Sequence, residues 1–575
     1  VSRSRIDPIR FEVIRNALEG ITTEMGLALK KSAYSTNIKA REDMSCALFD
    51  REMRVAAQSF GQGNHLPALA LMVPAVLKEY GVERLRPGDQ IVMNDPHRGS
   101  IHLNELLFAA PVFHGRRPFG FVANIAHHTD VGGRAAASIC IATEIFQEGV
   151  IIPPVRIVSG GRLDEEKLKF FLANVRTPRQ NAGDVRAQIA ANSLGVRRMQ
   201  ELLRRYGAPT LDRYLRALQD YTERRTRAAL RRLPRGAVAA QTCLDDDGVS
   251  DEPIPLRIRV IVGDGEVTMD CRDAPPQRPS SMNATFVSTF ASLGYVVKAL
   301  IDQDIPLNDG FYRPLRVLAA EGTIFDARHP APVVGAAEVG IRLCDLLFLA
   351  FAQLIPDRVV ASSKGIICYI GFGGIHPRTG QYYCFVETVA GGGGARADRD
   401  GMDAVQAHLQ NTENTPIEEA ELAFPFRVLR YELIPDSEGA GRSRGGLGVR
   451  RDYLFVDHRV DLTLLSDRTK FPPWGLFGGG EAQPARYCLN PGPGEVALPS
   501  KVTTTLAPGT VLSVRTPGGG GYGPPRERDP QAVLADVRAG KVGLGRARAA
   551  YGVVVETATL TLDREATRRC REAMG

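Results

Sequence analysis

Apolar residues Phe11, Ile14, Leu18, Ile21, Met25 and Leu29 recur at three- and four-residue intervals behind Asp7 and Pro8. An N-cap residue, proline at the first helical position and this rhythm together predict an opening helix. The period then shortens. "SCALFD" and "RVAAQSF" predict short strands, and "PGDQIVMNDP" predicts a turn, a strand and a stop at Asn94-Asp95-Pro96. Two further apolar runs, "LLFAAPVF" and "PFGFVANIA", flank "HGRR", a suitable hairpin connection. From 181 to about 233 the helical period returns with a break near "YGAPTLD", so two or three helices are expected to close a first domain. "IRVIVGDGEVTMDC" predicts a hairpin around Gly263-Asp264-Gly265, and helices follow at 286–301 and 341–354. After Gly391 the chain turns irregular, with "GGGGAR", "RSRGGLGVRR", "PPWGLFGGGE" and "TPGGGGYGPP". These runs share no period, which argues against a solenoid, and "GGGGARADRDG" and "TPGGGGYG" read as tight turns rather than anion nests. "PQAVLADVRAG" predicts a short helix ending the folded part.

The mixture of periods indicates an α+β, multidomain chain with mixed sheets, helices and a glycine-rich, β-rich C-terminal part. At 575 residues it is too long for one ordinary core. The expected divisions are an N-terminal metal-site domain at 1–235, an α+β middle domain at 236–390, a glycine-rich domain at 391–525 and a helical tail at 526–575.

Composition narrows the function classes. A formal charge of +7 is small for this length and the basic residues are scattered, which argues against a nucleic-acid partner. Nine cysteines without a Cys-x-x-Cys pair suit reduced thiols in a cytoplasmic protein. "VSRSRIDPIR" lacks the apolar core of a signal peptide, and no run approaches the roughly 18 apolar residues of a membrane span, so a cytoplasmic protein with no membrane partner is expected. "LDDDGVSDE" lacks the spaced glutamate of an EF-hand and reads as an exposed acidic turn.

The candidate chemistry gathers around the hairpin. If it turns symmetrically about His114 to Arg117, position 102 lies opposite 129, and His127 shares a face with His102 while His128 points to the other side. Diagonal neighbours on one sheet face sit about 7–8 Å apart, within reach for two imidazoles to grip one ion. Glu105, Asp130 and Asp43 supply carboxylates nearby. A mixed His/carboxylate set suits zinc, manganese or ferrous iron, and Glu105, Asp130 and His128 are the candidate acid–base groups. The residues alone leave a metal site and a hydrogen-bonded structural cluster both open.

The motifs "DPIRFEVIRNAL", "REDMSCALFD", "NDPHRGSIHL", "AHHTDVGG", "FQEGVIIPPVRI", "NTPIEEAE", "RGGLGVRRDY", "PPWGLFGG" and "TPGGGGYGPP" occur in order over nearly the whole chain. Together they resemble the hydantoinase B family, the B-type subunits of ATP-dependent N-methylhydantoinases, related to 5-oxoprolinase, caprolactamase and the acetone and acetophenone carboxylases. The resemblance implies a divalent metal, zinc or manganese, held by Asp43, His102, Glu105 and His127. It also implies an A-type, actin-fold partner that spends ATP to activate a cyclic amide substrate, whose hydrolysis this subunit completes within a hetero-oligomer. The alternatives are a subunit of an ATP-dependent ketone carboxylase and a non-catalytic scaffold. One position departs from the family pattern: "HLNE" places Glu105 where an aspartate within His-Leu-Pro-Asp is usual.

Overall fold

The computed structural model describes residues 6–574, so residues 1–5 of the stretch read for a signal peptide lie outside the described residues. Helix α1 (Pro8–Ser32) begins where Asp7 accepts the N–H of Ile9, and it buries Ile14, Leu18, Ile21, Met25 and Leu29. A one-turn helix, α2 (Thr36–Lys39), leads into β1 (Met44–Asp50) and β2 (Val55–Gly61). Helix α3 (His65–Tyr80) and strand β3 (Gln90–Met93) precede the hairpin β4 (Glu105–His114) and β5 (Arg117–His127). Strands β6 (Val155–Ser159) and β7 (Arg162–Leu163) complete a seven-stranded antiparallel sheet in the order β2-β1-β5-β4-β3-β6-β7.

Both faces of this sheet are covered. Ala47, Phe49, Leu107 and Phe121 pack toward α3, while Cys46, Leu48, Ala110 and Val122 pack toward α1 and the helices that follow. A strand buried on two faces needs no polar alternation, so β1, β4 and β5 read as continuous apolar runs. The covering helices are α4 (Glu165–Leu172), α5 (Pro178–Tyr206) and α6 (Ala208–Leu230), with the break at Gly207, where φ is 74°.

A second sheet contains β8 (Gly236–Leu244), β9 (Ile254–Val262), β10 (Val267–Asp270) and β11 (Leu315–Leu318) in the order β11-β10-β9-β8. Between β10 and β11 runs α7 (Phe286–Leu300), which packs on the helix Ala336–Ala352. The chain then builds β12 (Tyr369–Ile375) and β13 (Tyr382–Thr388), half of a four-stranded sheet. A five-stranded sheet has β14 (Arg427–Leu433) at one edge, beside β15 (Val449–Leu454).

Three local expectations change. Asp245, Asp246 and Asp247 are buried, not an exposed acidic turn. Asp245 accepts the N–H groups of Thr469, Lys470 and Phe471, and Asp247 pairs with Arg278, so the acids fasten this loop to distant segments. The helix Pro530–Arg538 does not end the folded part, because helices Leu544–Tyr551 and Arg564–Ala573 follow it around a small apolar cluster.

The third change concerns the glycine runs. Neither 391–394 nor 518–521 contains a glycine of positive φ, so these are not turns that need glycine for its left-handed conformation. They are extended segments lying backbone against backbone: Gly446 N–H donates to Gly393 O at 2.8 Å, Gly519 N–H to Gly446 O at 2.9 Å, and Ala395 N–H to Gly520 O at 2.9 Å. A Cβ added at Gly519 would lie 2.0 Å from Gly393 O, and one at Gly445 would lie 1.7 Å from Gly519 O. Glycine is required here for close approach. Gly519→Ala is therefore expected to cost about 3 kcal/mol, at the upper end of overpacking changes, read as a fall in the denaturant midpoint at unchanged slope.

Candidate metal centre

The hairpin turns where the sequence places it. Gly115, at φ 62°, takes the first of two central positions, and His114 pairs with Arg117 and Phe113 with Pro118. A bulge then intervenes between Val112 and Phe113, so that Val112 faces Gly120 and Glu105 faces His127. One extra residue shifts every pair beyond it. Glu105, not His102, is thus drawn toward His127 by the ladder. His102 precedes the strand, in a turn closed by the Glu105 N–H on His102 O at 3.1 Å, and its ring lies 5.1 Å from that of His127.

Two further groups arrive from neighbouring elements. Asp43 sits just before β1, and its carbonyl accepts the His127 N–H at 3.0 Å, so the β1–β5 pairing carries it to the end of the hairpin. His65 opens α3, and its Nε2 lies 2.9 Å from Glu105 Oε1 and 3.9 Å from Asp43 Oδ1. His102 Nε2 is 3.6 Å from the same Glu105 oxygen. Ligand atoms of His102, Glu105 and His127 lie within 4.8 Å of one another, as do those of Asp43, His65 and Glu105. Glu105 belongs to both sets.

All five side chains are buried, and Asp43, His65, His102 and Glu105 line a cavity of about 30 Å³ together with Gln62, Tyr369, Thr388 and Gln410. That volume is enough for a water molecule or a single ion. His102 Nδ1, Glu105 Oε2 and His127 Nε2 are buried without a hydrogen-bond partner. A buried polar atom left unpaired costs about 1–3 kcal/mol, so three in one cluster fit a centre completed by a cation. The donor set of imidazoles and carboxylates is of the right kind.

The electrostatics depend on Glu105. Burial would raise its pKa, but His65 and His102 outweigh burial and hold the carboxyl well below its ordinary value. Burial likewise presses His65 toward neutrality, and Glu105 more than reverses that, leaving it raised. Asp43 is pushed up to about 6 by burial and by the charge of Glu105 beside it. His127 is depressed well below the usual imidazole value, chiefly by burial. A divalent cation would compete with protons for these carboxylates and imidazoles.

Outside the cluster, the Asn37 side-chain amide lies 2.8 Å from His127 Nδ1 and from the His127 carbonyl, and Arg41 donates to Asn37 Oδ1. The amide orientation sets the tautomer. With its oxygen toward Nδ1 it leaves Nε2 as a lone-pair donor; turned as Arg41 holds it, Nε2 keeps the proton.

The structure brings Asp43, His102, Glu105 and His127 together and places His128 and Asp130 elsewhere. His128 projects to the opposite side, with Nε2 2.9 Å from Gln188 Oε1 and Nδ1 3.2 Å from the Asn181 amide, both on α5. Asp130 pairs with Arg176 at 3.0 Å and accepts the N–H groups of Gly132 and Arg176, which pins the loop after β5. His65 is the member that sequence reasoning missed. It stands alone in "QGNHLP", and only the pairing of β1 with β2 brings the start of α3 to the cluster.

An uncharacterized protein of Methanocaldococcus jannaschii is 36% identical over 98% of this chain and 100% of its own length. The caprolactamase subunit beta of Pseudomonas jessenii is 32% identical over 99% of both chains. The crystal structure of the ATP-dependent caprolactamase from that organism superposes with a TM-score of 0.91 at 30% identity, over 99% of this chain and 100% of that one. A nucleotide-free acetone carboxylase shares the fold, with a TM-score of 0.90 at 19% identity over 99% of this chain and 83% of the other. The model of the Hydantoinase B/oxoprolinase family matches residues 7–525, and the chain belongs to that family.

Proposed function

We propose that this chain is the metal-dependent B-type subunit of an ATP-driven cyclic amide hydrolase, acting on a hydantoin or related lactam that an A-type ATPase subunit has activated. The observation that carries this reading is the convergence of four buried ligand-type side chains on a fifth, Glu105, with three atoms among the five unpaired. Asp43, His65, His102, Glu105 and His127 would hold a divalent cation, zinc or manganese by their donor set. Bound there, it would supply Lewis-acid polarisation of a carbonyl and make an adjacent water more acidic.

The chain's own groups do the rest. Asp43 Oδ1 and His65 Nε2 border the cavity 3.9 Å apart, and whichever of the two the cation leaves uncoordinated can accept or return a proton. Tyr369 lies stacked on His127 at 6.3 Å and, with Leu409, limits the water that can enter. The amide reading is favoured by 32% identity over 99% of both chains with one named caprolactamase subunit beta; the lower-identity likeness to acetone carboxylase is one of fold alone. The scaffold reading is less favoured because it leaves the three unpaired buried atoms of this cluster without a partner.

Glu105→Gln tests the centre. It keeps the shape and removes the charge, so metal affinity is expected to fall at least about tenfold, about 1.4 kcal/mol, in a competition titration with a chromogenic chelator. Unchanged affinity would move the ligand role to other members of the cluster.

A further inference from the structure

Strand β14 is the edge of its sheet, and six of its seven residues, "RVLRYEL", are exposed. Leu429, Tyr431 and Leu433 are 52%, 42% and 38% exposed along it, and Leu422 and Val456 border the groove at its start. Exposed edges are ordinarily blunted. Here a bulge at Leu429 and the Glu421 carboxylate, which accepts the Val428 N–H, protect only the first end. The Ile434 N–H donates inward to Gly448 O, so by alternation the backbone groups of Tyr431 and Leu433 point away from β15.

The side chains of this edge complement themselves. In the ladder with β15, Arg430 faces Asp452 and Glu432 faces Arg450. A second copy of β14 laid antiparallel about Tyr431 would set Arg430 against Glu432 of the copy. One row across four strands would then read Asp452, Arg430, Glu432, Arg450, alternating in sign throughout. On the other face the same register sets Tyr431 against Tyr431, already covered by the Arg451 guanidinium at 4.5 Å, and Leu429 against Leu433. Opposite charges and aromatic or aliphatic pairs directly across strands are the stabilising combinations, and like charges there are destabilising.

We propose that β14 is a homotypic docking edge, where a second copy of this chain adds antiparallel about Tyr431 with Arg430 of each copy facing Glu432 of the other. The inference is independent of the metal chemistry, since none of these residues belongs to the centre. The test is sedimentation velocity on the full-length chain and on two single variants, R430E and E432R. The wild type is expected to dimerise, and each variant, with two like-charge contacts in its own dimer, is expected to weaken association at least tenfold. An equimolar mixture of R430E and E432R chains is expected to regain it, because both contacts are then opposite in sign. Circular dichroism unchanged in both variants would show that folding is intact. A monomeric wild type, dimers that persist in both variants, or a mixture that stays monomeric would each overturn the proposal. So would loss of binding to another subunit in R430E while self-association is unaffected, since the edge would then belong to that partner.

Discussion

His102→Ala and His127→Ala are each expected to remove most bound metal and to lower turnover of the assembled enzyme by at least about 10³-fold, or about 4 kcal/mol of transition-state stabilisation. Stability should change little, by about 2 kcal/mol at most, because each substitution deletes an unpaired buried nitrogen along with the ring. His128→Ala should do the reverse. Both of its ring nitrogens are engaged by Gln188 and Asn181 of α5, and removing the ring strands those amides in a buried site. A loss of about 2–3 kcal/mol is expected, with metal retained by the folded fraction. Metal analysis by atomic emission and denaturant unfolding of the three variants checks both halves. Metal lost from His128→Ala and kept by His127→Ala would place the ion on the other side of β5.

How much of this was legible in the chain follows from which interactions are local. The α1 rhythm, the Gly115 turn of the central hairpin and the β9–β10 hairpin are written in neighbouring residues, and the structure has them at those places. The bulge near Phe113 is not, because it comes from the fit of one strand on its neighbours, and it alone decides that Glu105 stands across from His127. His65 was invisible for a related reason: it lies 40 residues before Glu105, and nothing near it in sequence is metal-like. The glycine runs misled in another way. Glycine serves turns by its φ and close packing by its missing Cβ, and only the facing backbones of 393, 446 and 519 separate the two uses. The acidic run at 245–247 looked exposed because its partners, Arg278 and the backbone at 469–471, are remote.

The buried centre also bears on the dependence on a companion. The cavity of about 30 Å³ beside the centre has room for an ion or a water, so a ring substrate is expected to need further space made when the two subunits assemble. An amide activated by phosphorylation would react with bulk water if released, which favours a stable complex and a shielded route over two freely diffusing enzymes. The interface between the two subunits should then be large, on the order of several thousand Å² as in obligate assemblies. The direct measurement is ring opening by the purified, metal-loaded chain, followed by product analysis with and without ATP and with and without an A-type subunit. Alone, the chain is expected to hydrolyse no hydantoin or lactam, whether or not ATP is present; with the A-type subunit, turnover should appear and consume ATP. Ring opening by the isolated metal-loaded chain in the absence of ATP would contradict the divided reaction and leave a self-sufficient metallohydrolase.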